Sequence, residues 1–251
     1  PCDCCQSTMV TNGNDDVFLL FRNNDTNVRN SYIAKSNDGG LTFTSTQDLD
    51  DLNWVLNSCP TSSPVGVVKG DSIMVVRRNG GSGLNELYKS NVNINDLQKS
   101  YFTQVDASGS PLQDKAEIAS YKWSPFWYIT VWEENRNGVK ECFYSIIGSD
   151  GQSLDNGIVS DTSTFGHKIE PDITYVGGHT FAITYTASTQ YEVHFVFVEL
   201  SDVVSINELN SPNRKLVKTI DLLGRDVNPD INKPFINIYN DGRMERKLII
   251  E

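Results

Sequence analysis

Five cysteines occur in the chain, and three of them, Cys2, Cys4 and Cys5, fall within its first five residues, with Cys59 and Cys142 far downstream. Thiols crowded in this way do one of two kinds of chemistry. In an oxidising compartment they form disulfides and, the count being odd, leave a thiol over; in a reducing one they persist as thiols or as thiolate ligands of a soft metal ion. The Cys-x-Cys-Cys run alone does not choose between these, because no second Cys-x-x-Cys or His-x-His motif accompanies it.

Charge narrows the partners. Asp and Glu number 32 against 21 Lys and Arg, a net charge of −11, and such a surface repels polynucleotides and anionic lipid. Neither nucleic acid nor a membrane surface is an expected partner. No apolar run approaches the roughly 20 residues of a bilayer span, so no transmembrane segment is expected. The opening Pro1-Cys2-Asp3-Cys4-Cys5 is not a signal peptide, and the chain reads as mature or trimmed. At 251 residues and 38% hydrophobic content a real core can form, in one large domain or two small ones.

The elements that must position any site are strands. Period-2 alternation runs throughout, and the best helical candidate, residues 202–209, is short. Turn signals punctuate the rest, among them Asn12-Gly13, Asp38-Gly39-Gly40, Asn79-Gly80-Gly81, Asn137-Gly138, Asp150-Gly151, Gly177-Gly178 and Asp241-Gly242. Five apolar strands, 17–22, 72–78, 126–133, 180–185 and 235–239, each end in large polar residues. From Arg22 to Arg78, Glu133, Tyr185 and Tyr239 the steps are 56, 55, 52 and 54 residues. A near-constant step means one supersecondary unit used repeatedly. The units also start alike: Lys168-Ile169-Glu170-Pro171-Asp172-Ile173 matches Val227-Asn228-Pro229-Asp230-Ile231, and Asp114-Lys115-Ala116-Glu117-Ile118 is a looser copy. Radially arranged four-stranded units of this length make an all-β, β-propeller fold. The expectation is a single domain over 1–251 with five blades, 1–57, 58–113, 114–166, 167–225 and 226–251, or six if the chain is truncated. The last blade shows only three strands.

Within the first unit, Ser36-Asn37-Asp38-Gly39-Gly40-Leu41-Thr42-Phe43 carries the full Asp-box pattern of Ser, Asp, Gly, Thr and an aromatic residue. It resembles the sialidase-like (BNR/Asp-box repeat) β-propellers, where this box forms the hairpin between the third and fourth strands of a blade. Its logic is structural: the Asp38 carboxylate accepts from turn N–H groups, Gly40 tolerates φ > 0, and Phe43 is expected to plug between blades. Residues 1–80 further resemble a subset from bacterial exported proteomes that is labelled exo-sialidase. The shared features are Cys4-Cys5, Arg22, the Asp box, Trp54 and Cys59-Pro60. That resemblance implies an extracellular, periplasmic or cell-surface protein and a glycan or glycoconjugate ligand.

In these propellers the active face collects the starts of first strands and the ends of second strands. The resemblance therefore implies that Cys4, Cys5, Arg22, Cys59, Arg77, Arg78, Glu117, Glu133, Glu134, His167, Glu170, Asp172, Tyr185, Asp230 and Tyr239 share one face, with the Asp box on the other. Guanidinium forks suit a sugar carboxylate, so Arg22, Arg77 and Arg78, with Glu117 and Tyr239, are candidate substrate binders. Glycosidases use paired carboxyls, and sialidases a tyrosine activated by glutamate. Glu133, Glu170, Tyr185 and Asp230 are accordingly the candidate catalytic residues. Arg22 is followed by Asn23-Asn24 where a sialidase has Arg-Ile-Pro, and no arginine fills the slot in units three to five, so true sialidase activity is not expected. A noncatalytic propeller binding a glycan or protein is the alternative.

With Cys4 or Cys5 starting blade one and Cys59 starting blade two, a bridge between them staples neighbouring blades. The expected pair is Cys5–Cys59, worth about 4 kcal/mol by loop entropy, and no cofactor is then needed. The alternative is a soft metal, copper or zinc, on Cys4, Cys5 and Cys59 with His167. Cys142 reads as a buried free thiol, and the protein as a monomer.

Overall fold

The computed structural model describes residues 2–107, 112–122, 128–136, 138–163, 165–189, 192–200, 216–221, 225–229, 235–239 and 244–247, with the backbone alone at Tyr239 and over 244–247. These residues form strands and connections without a helix. The helical candidate at 202–209, Asp230, Trp123 and Trp127 lie outside them.

The first sheet joins β1 (Thr8–Thr11), β2 (Val17–Arg22), β3 (Ser31–Ser36) and β4 (Ser45–Asp48) in chain order. The second joins β5 (Val65–Lys69), β6 (Ser72–Asn79), β7 (Glu86–Asn93) and β8 (Thr103–Gln104). The third joins β9 (Gln113–Ser120), β10 (Tyr128–Arg136), β11 (Val139–Ile147) and β12 (Ser153–Ile158). A fourth holds β13 (Lys168–Gly177), β14 (Thr180–Ala187) and β15 (Glu192–Glu199), and a fifth β16 (Leu216–Asp221), β17 (Phe235–Tyr239) and β18 (Met244–Lys247). Neighbours are antiparallel throughout. The five apolar strands read from the sequence are the second strands β2, β6, β10, β14 and β17.

Where one domain is expected over 1–251, the chain divides into two compact units, residues 1–200 and 201–251. Residues 216–221, assigned from the sequence to the fourth repeat, form β16 and pair with β17 instead. In that pairing Ile220 faces Ile236, Thr219 faces Asn237 and Asp221 faces Phe235.

Within residues 1–200 consecutive sheets pack face to face. Phe18, Leu20 and Ile33 of the first sheet bury against Ile73, Val75 and Val92 of the second. Val65, Val76 and Leu87 of the second bury against Ala116, Trp132 and Phe143 of the third. Ile129 and Val131 of the third bury against Ile173, Phe181 and Ile183 of the fourth. The two-residue side-chain period produces this directly: Val75 of β6 points to one neighbouring sheet and Val76 to the other. Each such side chain contributes about 1.5–3 kcal/mol. The first strands follow one another in space, β1 beside β5, β5 beside β9, and β9 beside β13.

The hairpin at residues 36–43 closes on its own side chains. Ser36 Oγ donates to Asp38 Oδ1 at 2.6 Å, and the Thr42 amide and hydroxyl donate to the same carboxylate at 2.9 and 2.6 Å. These bonds, that of Ser36 first, hold Asp38 down to about 2. Gly40, at φ 91°, gives its amide to Ser36 Oγ at 2.9 Å. Phe43 corrects an expectation: it is exposed rather than plugged between sheets. It sits in the irregular link before β4, the outer strand, whose lead-in has solvent on one side.

Because β6 and β10 are covered on both faces and β2 on one, polar residues at their ends are buried too, and they tie sheets together. Arg77 and Asp50 are both fully buried, with Nε donating to Oδ1 at 2.8 Å, and Asp50 Oδ2 also accepts from the Ser31 amide at 2.7 Å. Arg77→Met strands the Asp50 charge and should destabilise the protein by about 3–5 kcal/mol. The double replacement with Asp50→Asn should recover part of that loss. Urea midpoints at constant slope check both; an unchanged midpoint in the single variant contradicts the role.

Candidate active site and its surroundings

Arg22 ends β2 and is buried. Its Nη1 donates to the Arg29 carbonyl at 2.6 Å, its Nη2 to the Arg78 carbonyl at 3.0 Å and its Nε to the Ser62 carbonyl at 3.5 Å. Burial pulls the guanidinium down to about 10. Two arginines pack on the Trp54 ring, with the Arg22 and Arg78 guanidinium carbons 5.0 and 5.1 Å from its centroid. Gly80 permits this stack: a Cβ there would stand 2.5 Å from Trp54 Nε1. Arg78 is ion-paired with Asp114. The three arginines expected to bind a sugar carboxylate are thus engaged elsewhere, Arg22 by carbonyls, Arg77 by Asp50 and Arg78 by Asp114. They sit at strand ends that neighbouring sheets cover, where a guanidinium is held by acceptors of the protein itself.

Beside Arg22 four sulfurs converge. Cys4 and Cys59 are bridged, with Cα atoms 6.3 Å apart, while Cys2 and Cys5 are free thiols. The expected Cys5–Cys59 pairing is therefore corrected to Cys4–Cys59: Cys5 Sγ stands 3.7 Å from Cys59 Sγ and donates instead to Cys2 Sγ at 2.8 Å. Cys2 Sγ also lies 3.4 Å from Cys4 Sγ and accepts from Arg29 Nη1 at 3.4 Å. Burial opposes ionisation of Cys2, but donation from Cys5, from the Cys4 and Cys5 amides and the Arg29 charge together bring it below the usual thiol range. Burial, the bond given to Cys2 and the Cys2 charge push Cys5 up to about 11. His167 is corrected out of the sulfur group. It is exposed, and its Nδ1 accepts from the Lys140 amide at 3.0 Å in the third and fourth sheets.

The carboxylates gather between β9, β10 and β13. Glu117 on β9 is pushed up to about 7, first by burial and then by the Asp172 carboxylate on β13. Glu133, at the end of β10, is buried; Lys140 Nζ donates to its Oε1 at 2.5 Å and the Glu170 amide to its Oε2 at 3.2 Å. Glu170 itself is exposed and adopts φ 52°. Two residues of β13, Glu170 and Pro171, intervene where the register jumps from Ile169↔Thr186 to Asp172↔Thr184. In β9, Lys115 (φ 51°) and Ala116 stand at a similar jump, between Asp114↔Glu133 and Glu117↔Val131. Thr61, just ahead of β5, has φ 61°. The same left-handed residue thus recurs at 61, 115 and 170, next to the stretches that start alike in the sequence. Such a bulge re-aims the side chains that follow it, here Glu117 and Asp172.

Of the expected catalytic residues, Glu133 is buried and ion-paired with Lys140, so it is not free to act as an acid. Tyr185 is corrected from nucleophile to core residue: it is buried, its ring stacks on His194 with centroids 5.1 Å apart, and its hydroxyl accepts from the Asp161 amide at 3.0 Å. Burial first raises its ionisation further. Alternation places Tyr185 on the sheet-facing side of β14, where a strand covered by its neighbour leaves no solvent. Asp230 lies outside the described residues, as does the Tyr239 side chain. Glu134 is buried and accepts from Trp132 Nε1 at 2.8 Å and Gln113 Nε2 at 3.1 Å. Cys142 is a buried free thiol, its ionisation pushed up by burial. Sequence reasoning missed Cys2, Arg29 and Lys140 as members of these groups. The Cys-x-Cys-Cys run was a signal for Cys2, whereas nothing local marks Arg29 or Lys140.

No family model and no curated protein matches the chain. Solved structures do. NanB with Optactamide aligns over 75% of this chain and 29% of its own, at TM-score 0.51 and 12% identity. Penicillium chrysogenum alpha-L-arabinanase complexed with arabinobiose aligns over 72% of this chain and 56% of its own, at TM-score 0.50 and 10% identity. The chain is therefore similar in fold to β-propeller glycoside hydrolases, and it spans 29% and 56% of these two. Among the described residues no helix is long and apolar enough to cross a membrane.

The sulfur connectivity is directly measurable. Alkylation of the denatured, unreduced protein should add three labels, on Cys2, Cys5 and Cys142, and peptide mapping should recover Cys4 joined to Cys59. Recovery of Cys5 joined to Cys59 contradicts the assignment.

Proposed function

We propose that the protein is a glycan-acting propeller that hydrolyses a glycosidic bond where β9 and β13 meet, with Glu117 as general acid and Asp172 as the second carboxylate. One observation carries this reading: Glu117 is raised to about 7 by burial and by Asp172. A carboxyl that stays protonated near neutrality beside a second carboxylate is the division of labour glycosidases use. The fold likeness to NanB and an arabinanase supports a carbohydrate ligand. The Cys4–Cys59 bridge supports an oxidising, extracytoplasmic setting, and the hairpin at 36–43 supports the sialidase-like kind. Arg22, Arg77 and Arg78 already have partners, and the charge beside Glu117 is the Asp172 carboxylate. A neutral glycan therefore suits this site better than the acidic sugar those arginines were expected to hold. A noncatalytic, glycan-binding role is the second reading, favoured by the burial of Glu133 and Tyr185.

A panel of aryl glycosides of neutral pentoses and hexoses and of acidic sugars should show turnover on a neutral member. Its basic limb should fall near pH 7, and Glu117→Gln should lose roughly 10²–10⁴-fold in rate. Absence of turnover on every member, with binding on a glycan array, leaves the binding reading; absence of both sinks the proposal.

The same group sets a stability profile. Folded Glu117 ionises near 7 against an ordinary 4.5. Between those values the unfolded chain has released a proton that the folded chain retains. Its contribution is complete below about pH 4.5 and is lost as pH rises through 7. Glu117→Gln should therefore raise the thermal midpoint at pH 8, by roughly 2–6 °C, and leave it little changed at pH 4. Equal shifts at both pH values contradict the raised ionisation.

A further inference from the structure

A bridge between two sheets needs two cysteines, yet four sulfurs meet here. The Sγ atoms of Cys2, Cys4, Cys5 and Cys59 all lie within 4.8 Å of one another. Three of the non-bridged separations are 2.8, 3.4 and 3.7 Å. Four thiolates around zinc at about 2.3 Å form a tetrahedron with edges of about 3.8 Å, so small side-chain rotations separate the observed geometry from a coordination shell. Three ligands come from one turn and the fourth from 54 residues beyond Cys5. The turn is anchored before any metal arrives, since the Cys2 amide donates to the Arg22 carbonyl at 2.7 Å.

The surroundings are also those of a thiolate site. Cys2 Sγ accepts from Arg29 Nη1 at 3.4 Å and from the Cys5 thiol at 2.8 Å. A buried neutral thiol needs no such donors, whereas a zinc centre with four thiolates carries two negative charges and is stabilised by N–H groups and cations around it. Arg29 supplies one cation, and Arg22, which feels the Cys5 charge, supplies a second; both are buried.

We propose that Cys2, Cys4, Cys5 and Cys59 form a single site for a soft d10 cation, zinc(II) or copper(I), which opens when a dithiol reductant cleaves the Cys4–Cys59 bond. The balance is simple. The disulfide takes two electrons and two protons from the dithiol, which leaves as its own disulfide. The four thiols then release their protons as the cation binds. Oxidised, the same residues staple the first two sheets; reduced, the cation holds those sheets through the same four side chains.

The test uses the full chain, reduced anaerobically with a phosphine, desalted, and loaded separately with zinc(II), copper(I) or cobalt(II). One ion per reduced chain is expected from elemental analysis after gel filtration, and none on the air-oxidised chain. Cobalt should give the visible d–d bands and thiolate charge-transfer intensity of four-thiolate tetrahedral coordination, which counts ligands without any variant. Cys2→Ser and Cys5→Ser should each weaken zinc binding at least about 100-fold, whereas Cys142→Ser should not. The zinc and copper arms separate the two ions by competition with chelators of known affinity. Reduced wild type that takes up no ion overturns the proposal, as does retention of the full cobalt spectrum in the Cys2 and Cys5 variants. Neither outcome depends on glycan turnover.

Discussion

In the second and third sheets the second strand is covered on both faces, in the first and fourth one face is buried and the other half-buried, and most other features follow from that burial. In β10 seven consecutive residues, Tyr128 to Glu134, are buried, and in β6 the five residues from Ile73 to Arg77. A strand in that position cannot send charged residues at its end into water. Arg22, Arg77 and Glu133 instead find partners on adjoining sheets, and Glu134 finds Trp132 and Gln113 within its own sheet. What looks in the sequence like a row of solvent-facing binding groups is in the fold a row of interlocks. Desolvation makes each pair a weak net contributor and its disruption expensive, which locks the relative placement of neighbouring sheets more than it deepens stability.

The sulfur group depends on the same interlock. Arg22 reaches across to the Ser62 and Arg78 carbonyls, and its own carbonyl accepts from the Cys2 amide. The N-terminal turn is therefore hung on the end of β2 next to the segment carrying Cys59. Trp54, stacked by Arg22 and Arg78, occupies the space beside it. Covalent bridge, cation–π stack and guanidinium–carbonyl bonds together fasten the first sheet to the second.

The acidic group is built differently. Thr61, Lys115 and Glu170 hold a left-handed backbone at repeated positions, each costing about 1–3 kcal/mol. In β9 and β13 the bulges turn Glu117 and Asp172 toward a shared region in which burial keeps one of them protonated near neutrality. Left-handed residues also occur at Thr26, Asn27 and Leu97, so it is the coincidence of such a bulge with a carboxyl raised by burial that supports the proposed site.

The sequence alone determined the class of fold. The five apolar strands recur at nearly even steps, and all five are second strands, because a short, strongly apolar run ending in polar residues is a local property that an inner strand of a packed sheet requires. It also marked the cysteines, the self-bonded hairpin at 36–43 and the repeated stretch that contains Lys115, Glu117, Glu170 and Asp172. Tertiary structure alone decided which side chains are available. Whether Arg22 meets a ligand or a carbonyl depends on what the next sheet places 56 residues later. Whether Cys4 or Cys5 bridges Cys59 turns on the course of a single turn. Tyr185 and Glu133 were drawn inward by sheets packed over them, and Glu117 emerged because its ionisation is set by burial and by a carboxylate on another sheet. Residue type and spacing are written along the chain, but solvent exposure, partner and charge state are properties of neighbours far away in sequence, and only the folded arrangement of the sheets supplies them.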